Sequence, residues 1–386
     1  MNNIKEKMNA YGCQLADKYK HNLLTDNDLS LLNLMFNENP TQNELDEFLK
    51  NYDIEVASGY KALMLSYFMR MHPNLNFSKY ETPRLKGLFN YYRFQNMKLI
   101  SYFMKIGKVF NKNNIPMLIL KGFAMKYLRQ DLSRAMGDID ILVPENKFVE
   151  AIDICRDLEF SLEVYVHSID IHEPSSDAGI MDIHRYIDMK NRKERPLNKF
   201  LFKRAKKAKF NGIEILVPSY EDLLFLSLIN LALNLESKTS KPSTLYVLFD
   251  CKYLISQPNF NWDIVIENIK LTKTQEKVAF AIKFINNIVP NLIPSQLYNH
   301  PLLKNRINDR CIQISFSNYT LALQKIMKKI KIKHILEKKI SIKAYLKGKI
   351  YYKLCKSLNK SNHLLIKTKI LDIRENSKKR EYIVHP

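Results

Sequence analysis

The first part of the chain carries apolar residues at helical spacing, with polar residues between them. Residues 1–114 contain no alternating apolar and polar stretch long enough to predict a strand. Thr82 and Pro83 have the pattern of a helix N-terminus, in which a capping side chain precedes a proline. The pattern lapses near Asn96, which allows a break in the helix there. Apolar residues follow on one side of this long predicted helix: Leu85, Leu88, Tyr92, Leu99, Phe103, Ile106 and Phe110.

The periodicity changes to that of strands beyond Pro116. Short apolar runs and alternating runs, rich in β-branched and aromatic residues, predict five strands. A helix is predicted between the second and third strands, because apolar residues recur at helical spacing from Phe148 to Cys155. Together these elements predict an α/β or α+β unit. The five strand segments are residues 117–120, 138–143, 162–167, 179–187 and 212–218.

Helical patterns return after Pro218. Residues 219–222 have the form of a capping box, and a very apolar helix is predicted from there to about Leu235. Further helical patterns continue to about residue 324. Four regions are therefore predicted: an N-terminal helical region, residues 1–114; a core, residues 115–218; a C-terminal helical region, residues 219–324; and a basic tail, residues 325–386.

The composition is that of a globular protein, with 46% hydrophobic and 26% charged residues. The longest uncharged apolar stretch, Leu223 to Leu235, has 13 residues, fewer than the roughly 20 that span a bilayer. The first residues lack the basic segment and continuous apolar core of a secretory signal, so a cytoplasmic location is expected. The five cysteines lie at least 44 residues apart, which favours reduced thiols over a disulfide framework.

The net charge of +22 is concentrated in the tail. Residues 325–386 hold 19 Lys and Arg against 4 Asp and Glu, a net charge of +15. Three interpretations remain open: a solvated helix face, a nucleic-acid contact through lysines and tyrosines, or attachment to an anionic membrane surface. A second basic stretch, residues 203–209, suits a solvated hairpin or a contact with an anionic substrate.

Two aspartates on the second predicted strand are the most informative residues of the chain. Asp138 and Asp140 are two apart, so their side chains project from the same face of the strand. Like charges held this close need a cation, and carboxylate oxygens suit Mg²⁺. The alternative is an edge strand with a solvated polar face.

The neighbouring residues favour the metal site. Lys121 and Gly122 follow the first predicted strand and open a helix, where a lysine can meet a phosphate and a glycine lets the backbone approach a ligand. Arg134 lies just upstream of the aspartate pair. Asp182, on a separate predicted strand, is followed two residues later by His184, which faces the same way. Together these residues have the composition of a two-metal site for phosphoryl transfer.

These motifs resemble the polymerase-β-like nucleotidyltransferase superfamily, and more closely its uncharacterised bacterial nucleotidyltransferase branch. The resemblance rests on Lys121-Gly122, on Arg134, on residues 137–143 with the pattern Gly-Asp-x-Asp, and on residues 182–184 with the pattern Asp-hydrophobic-His. It extends through Asp250 and covers about residues 85–290. It implies an α+β fold, in which a mixed β-sheet core is flanked by N- and C-terminal helical regions.

The resemblance also implies a mechanism. Asp138, Asp140 and Asp182 would hold two Mg²⁺ ions, and Asp182 would help to deprotonate an acceptor hydroxyl. That hydroxyl would attack the α-phosphate of an NTP such as ATP, and pyrophosphate would leave. Lys121, Gly122 and Arg134 would steady the phosphates. The acceptor would be a small molecule, a sugar, an RNA or a protein, and His184 and Asp250 are candidates for its pocket.

Other functions are consistent with the same residues. His167, Asp170 and His172, together with Asp182 and His184, could serve a metal hydrolase, although their spacing matches no standard zinc motif. Asp250 lies in an apolar helix and suits a buried ion pair as well as a substrate contact. The whole chain could also be a non-catalytic binding or regulatory protein on a nucleotidyltransferase scaffold, with the tail directed to RNA or a membrane.

Overall fold

The structure, a computed structural model, describes seven stretches of the chain. All of them belong to one compact unit, Ala16–Ile307. Arg134 and the basic tail lie outside the described residues, so their roles remain predictions. The described stretches are residues 24–54, 59–129, 135–165, 167–172, 179–187, 196–237 and 243–303.

Within the described residues, four helices precede the sheet. The first two begin with capping boxes at Thr25 and Thr41, whose side chains accept hydrogen bonds from the third backbone N–H of the helix. The fourth helix packs along the third and ends just before the first strand. The four are α1 (Asp26–Phe36), α2 (Gln42–Asn51), α3 (Gly59–Met71) and α4 (Glu81–Lys112).

Helix α4 differs from its prediction in two ways. It begins at Glu81 rather than after a Thr82 cap, because the Ser78 hydroxyl accepts hydrogen bonds from the Tyr80 and Glu81 N–H groups. It also continues without a break through Asn96, so that prediction was wrong. Asn96 is buried within α4, and its side-chain oxygen accepts a hydrogen bond of 3.0 Å from the Met136 N–H. Asn96 therefore interrupts the apolar pattern of α4 because its side chain forms a hydrogen bond with the backbone just before the second strand.

A seven-stranded mixed sheet forms the centre of the unit, in the order β3-β4-β5-β2-β1-β7-β6. Strands β2 and β5 are parallel, as are β1 and β7, and the remaining neighbours are antiparallel. All five predicted strands are present, and β4 and β6 are additional. The strands are β1 (Leu118–Ile119), β2 (Asp138–Leu142), β3 (Ser161–Val164), β4 (Ser168–His172), β5 (Ile180–His184), β6 (Lys206–Phe210) and β7 (Ile213–Val217).

Helices cover one face of this sheet. Helix α4 packs on β2, β5 and β7, and α6 (Phe148–Asp157), the helix predicted between strands, packs on β3. Gly107 of α4 lies so close to β7 that an added Cβ would be 2.9 Å from Ile213. The buried residues Ile139 and Ile141 of β2 alternate with the aspartates, so Asp138 and Asp140 project from the opposite face.

The helices after the sheet surround a central apolar helix, α8 (Tyr220–Ser237). This helix packs on the next three helices of the chain, α9 (Ser243–Ile255), α10 (Trp262–Thr272) and α11 (Gln275–Ile288). As predicted from the capping-box pattern, the Ser219 hydroxyl accepts a hydrogen bond from the Asp222 N–H. Cys155 and Cys251 are both free and buried. Within the described stretches, none of the helices combines the length and apolar character needed to cross a bilayer. The other helices are α5 (Lys121–Leu128), α7 (Pro196–Arg204) and α12 (Ser295–Tyr298).

These elements define an α+β protein whose mixed sheet is flanked by helices before and after it in the chain. The predicted fold class is therefore confirmed.

Candidate active site

Strand register places acidic side chains in a row across the sheet. Asp140 of β2 pairs with Asp182 of β5, Asp182 pairs with Asp170 of β4, and Asp170 pairs with Glu163 of β3. Paired residues on neighbouring strands point to the same face, so these four carboxylates share one face of the sheet. Four like charges in adjacent positions repel one another, which raises the pKa of the carboxylates unless cations neutralise them.

A close backbone approach brings the ends of β2 and β5 together. Gly179, just before β5, has φ +106°, and a Cβ placed there would lie 2.6 Å from the Gly137 carbonyl oxygen and 3.0 Å from Leu99. Only glycine allows both the backbone angle and this proximity. Gly179 therefore permits the pairing that sets Asp182 beside Asp140.

Helix α5 contributes a positive charge to the acidic row. The Leu120 N–H donates a hydrogen bond of 2.9 Å to the Asp140 carbonyl, which fixes the start of the helix against β2. Lys121 follows with φ +43°, a left-handed backbone that costs a non-glycine residue about 1 kcal/mol. Its ammonium group contacts Asp140 Oδ1, and Gly122 is next in the same helical turn. The predicted lysine therefore reaches an aspartate of the candidate site.

His184 lies between the two central carboxylates. Its Nε2 atom is 2.8 Å from Asp140 Oδ1 and 3.1 Å from Asp182 Oδ2. Asp140 is only 1% exposed, whereas the Asp182 side chain is 20% exposed. The second carboxylate oxygen of Asp182, Oδ1, is shielded from solvent and has no hydrogen-bond partner. An unpaired buried oxygen of this kind suits a ligand that the protein itself does not supply.

The electrostatics separate the aspartates. Burial alone would raise the pKa of Asp140, but Lys121 and His184 hold it below its usual value. The Asp138 carboxylate is packed among protein atoms although its side chain also reaches the surface, and this loss of hydration, together with the charge of Asp140, raises its pKa to about 6. Burial also raises the pKa of Asp182, and the nearby Asp140 charge adds to this effect. Asp140 is therefore the carboxylate most strongly held in its charged form.

Three residues present ligand atoms close enough to share one metal ion. The ligand atoms of Asp140, Asp182 and His184 all lie within 4.8 Å of one another. This group differs from the predicted set of Asp138, Asp140 and Asp182, because it contains His184 in place of Asp138. Asp138 lies at the start of β2, exposed, and interacts with the group through its charge. The unpaired Asp182 oxygen and the mixed carboxylate and imidazole donors fit a divalent cation.

The remaining predicted residues lie further from this group. Asp250 is 2% exposed within α9, and its charge acts on Cys251, whose pKa burial already raises. Helix α9 does meet the end of α5, since the Tyr253 hydroxyl donates to the Leu128 carbonyl at 3.3 Å. His167 and His172 lie outside the group of three ligands. The acceptor role of Asp250 remains a prediction.

Two residues that position the site were not assigned that role from the sequence. Asn96 holds the segment before β2, and Gly179 permits the approach of β5. The available signals were an asparagine in an amphipathic helix and a glycine directly before a strand. Both patterns are common in proteins where they have no such role. Their roles depend on long-range contacts, which one sequence without its fold does not reveal.

Comparison with protein-family models assigns the class of protein. Residues 65–290 match the model of a family described as uncharacterised nucleotidyltransferase. The match covers more than half of the chain, and the chain belongs to this family. The resemblance seen in the sequence is thereby confirmed, and so is the nucleotidyltransferase-like fold.

The individual proteins that this chain resembles are distant. No curated protein matches the chain. Among solved structures, the antibiotic-resistance factor ANT(2'')-Ia is 15% identical, with a TM-score of 0.29, and the match covers 50% of this chain and 94% of that one. An antigenic nucleotidyltransferase-like protein from Paracoccidioides brasiliensis is also 15% identical, with a TM-score of 0.32, covering 48% and 92% of the two chains.

Proposed function

We propose that the protein transfers a nucleotidyl group from an NTP to a hydroxyl group of an acceptor, with Mg²⁺ as the cofactor. The observation that carries this proposal is the pairing of Asp140 with Asp182 on adjacent parallel strands, with Lys121 of α5 in contact with Asp140. Membership of a nucleotidyltransferase family supports the reaction class. The core predicted for residues 115–218 contains all of these residues.

Asp138, Asp140 and Asp182 are the proposed holders of two Mg²⁺ ions. When bound, Mg²⁺ neutralises phosphate charge and lowers the pKa of a coordinated hydroxyl group. The exposed position of Asp138 at the start of β2 suits a ligand that meets the nucleotide from the solvent side. Asp140 is buried and held in its charged form, which suits a permanent ligand.

The chain's own residues supply binding and proton transfer. Lys121 and the Gly122 backbone, at the start of α5, would bind the triphosphate, together with Arg134. The acceptor hydroxyl oxygen forms a bond to the α-phosphorus, and the bond from that phosphorus to the bridging oxygen breaks, which releases pyrophosphate. Asp182, which lies opposite Asp140 on the neighbouring strand, would take the hydroxyl proton.

Label transfer tests this proposal. Purified protein would be incubated with each of four α-phosphate-labelled NTPs, Mg²⁺ and cell extract, and the extract would be analysed for labelled species. We expect the wild-type protein to label an extract component and Asp140→Asn to lower the rate by about 10³-fold. Label that survives a protease but not a nuclease, or the reverse, identifies the class of acceptor.

A matched variant controls for the change of charge. Asp157→Asn removes an exposed carboxylate at the end of α6 and should transfer label at the wild-type rate. Full activity of Asp140→Asn, or equal loss in both variants, would contradict the assignment of the site.

A further inference from the structure

His184 has a geometry that a simple hydrogen-bond partner of one aspartate does not need. Its Nε2 atom lies 2.8 Å from an oxygen of Asp140 and 3.1 Å from an oxygen of Asp182. Two ligands at right angles on an ion with bonds of about 2.1 Å are about 3.0 Å apart. Both distances therefore match neighbouring ligand positions around one octahedral cation.

The surroundings of this group are built for a bound cation. Asp140 is almost fully buried, and the His184 side chain is only 11% exposed. Asp182 Oδ1 is shielded from solvent and lacks a hydrogen-bond partner. A buried polar atom without a partner costs about 1–3 kcal/mol, so Asp182 offers a second oxygen, beside the Oδ2 that contacts His184, that is open to a ligand.

We propose that His184 binds the metal ion together with Asp140 and Asp182, and that its imidazole gives this site a preference for Mn²⁺ over Mg²⁺. The inference rests on the proposed function in that it concerns the same site. It differs from the proposed function in naming His184 as a ligand and Mn²⁺ as the ion that binds most tightly.

The preference follows from the donor atoms. Mg²⁺ binds oxygen ligands and keeps much of its water, so an imposed nitrogen ligand is unfavourable for it. Mn²⁺ has the same charge and binds at octahedral oxygen sites, but it lies on the transition-metal series that accepts imidazole nitrogen. The Nε2 atom must then offer its lone pair, so the neutral ring carries its proton on Nδ1.

Metal titration tests the inference without any catalytic reaction. Mn²⁺ binding to the full-length protein would be followed by the electron paramagnetic resonance signal of free Mn²⁺, and Mg²⁺ binding by competition. We expect Mn²⁺ to bind at least about tenfold more tightly than Mg²⁺. In His184→Asp, which offers only oxygen ligands, the ratio of the two Kd values should fall by about tenfold.

A histidine on the same sheet face provides the control. His172 of β4 lies outside the ligand group, and His172→Asp introduces the same charge nearby. Its Kd ratio should stay within about twofold of the wild-type ratio. An unchanged ratio in His184→Asp, or an equal change in both variants, would overturn the inference.

A measurement on the wild-type protein covers the case in which His184→Asp does not fold. Electron spin-echo envelope modulation of the Mn²⁺-loaded protein should show coupling to a directly bound ¹⁴N nucleus. Absence of that coupling at saturating Mn²⁺ would overturn the inference. Nitrogen coupling without label transfer would refute the proposed function alone, and label transfer without nitrogen coupling would refute the role of His184 alone.

Discussion

At the scale of single residues, Lys121 has an unusual position. Its ammonium group contacts the same oxygen of Asp140 that lies 2.8 Å from His184 Nε2. It reaches this oxygen from a left-handed backbone at the first position of α5. Lys121 therefore occupies a ligand atom that a metal ion also needs, while its side chain is 42% exposed and has room to move.

Replacement of Lys121 should have opposite effects on metal affinity and on the rate of label transfer. In Lys121→Met, the loss of a competing positive charge should tighten Mn²⁺ binding several-fold in the absence of nucleotide. The same variant should lower label transfer by about 10²-fold, because a charge-assisted contact with phosphate is lost. The metal titration and the transfer assay described above measure the two effects.

An exposed lysine of α4 serves as the control. Lys108→Met removes the same charge away from the site and should leave both quantities near their wild-type values. Weaker metal binding by Lys121→Met would show that Lys121 supports the cation rather than competes with it.

At the scale of elements, the pairing of β5 with β2 depends on Gly179. Its positive φ and its approach to Gly137 leave no space for a side chain. The Asn211-Gly212 turn between β6 and β7 also has positive φ at both residues, but no heavy atom lies within 4 Å of a Cβ placed on Gly212. The two glycines therefore share a positive φ, which would strain any other residue, and differ in close contact.

Gly179→Ala should damage the site as well as stability. We expect a loss of about 1–3 kcal/mol in the free energy of unfolding and weaker Mn²⁺ binding, because the start of β5 must move away from β2. Gly212→Ala should lose stability but bind Mn²⁺ normally. Urea unfolding and metal titration of both variants make the comparison, and equal metal affinity in all three proteins would refute the role of Gly179.

The sequence predicted the elements better than their boundaries and pairing. Alternation in residues 138–143 and 179–187 was strong enough to predict β2 and β5, because apolar residues alternate with Asp138 and Asp140 in one segment and with Asp182 and His184 in the other. Strand β4 was missed because its five residues directly follow the alternation assigned to β3, whereas β6 is the exposed arm of the hairpin that residues 203–209 suggested. Strand β6 lies at one edge of the sheet, and edge strands bury little apolar surface and use lysines to avoid pairing with other chains.

The candidate site was predictable only in part, because its geometry depends on how the strands pair. The two-residue spacing of Asp138 and Asp140 places both on one face from sequence alone. The register that sets Asp140 opposite Asp182, 42 positions along the chain, depends on Gly179 and on the burial of Ile139 and Ile141. The position of His184 between two carboxylates follows from that register, so the sequence could name it as a possible metal ligand but could not place it between Asp140 and Asp182.

At the scale of the whole molecule, a buried polar network joins the helices around the sheet. Arg204 of α7 donates two hydrogen bonds to Asp222 of α8, at 2.6 and 3.0 Å. It also contacts Asn268 of α10 at 2.7 Å and Glu267 at 3.1 Å. Asp222 is fully buried, and Asn268 donates a further hydrogen bond to it at 2.7 Å. This network fixes α7, which follows β5 in the chain, against the C-terminal helices.

Removal of one buried charge from this network should destabilise the protein. Asp222→Ala leaves Arg204 without its main partner and should lower the free energy of unfolding by about 3–5 kcal/mol. Glu267→Ala removes a half-exposed partner of the same arginine and should cost less than about 1 kcal/mol. Urea unfolding of the two variants tests this difference, and equal losses would show that burial does not determine the contribution of the pair.

The parallel register of β2 and β5 makes metal binding a reporter of correct strand pairing. Because side chains alternate between faces, a shift of β5 by one residue would move Asp182 and His184 to the helix-covered face of the sheet. Ile183 would then lie beside Asp140 on the acidic face, and two of the three ligand atoms would be lost at once. A misfolded chain with the right number of strands would therefore bind no cation tightly at this position. The fraction of a preparation that binds Mn²⁺ stoichiometrically should equal the fraction whose sheet has formed in register.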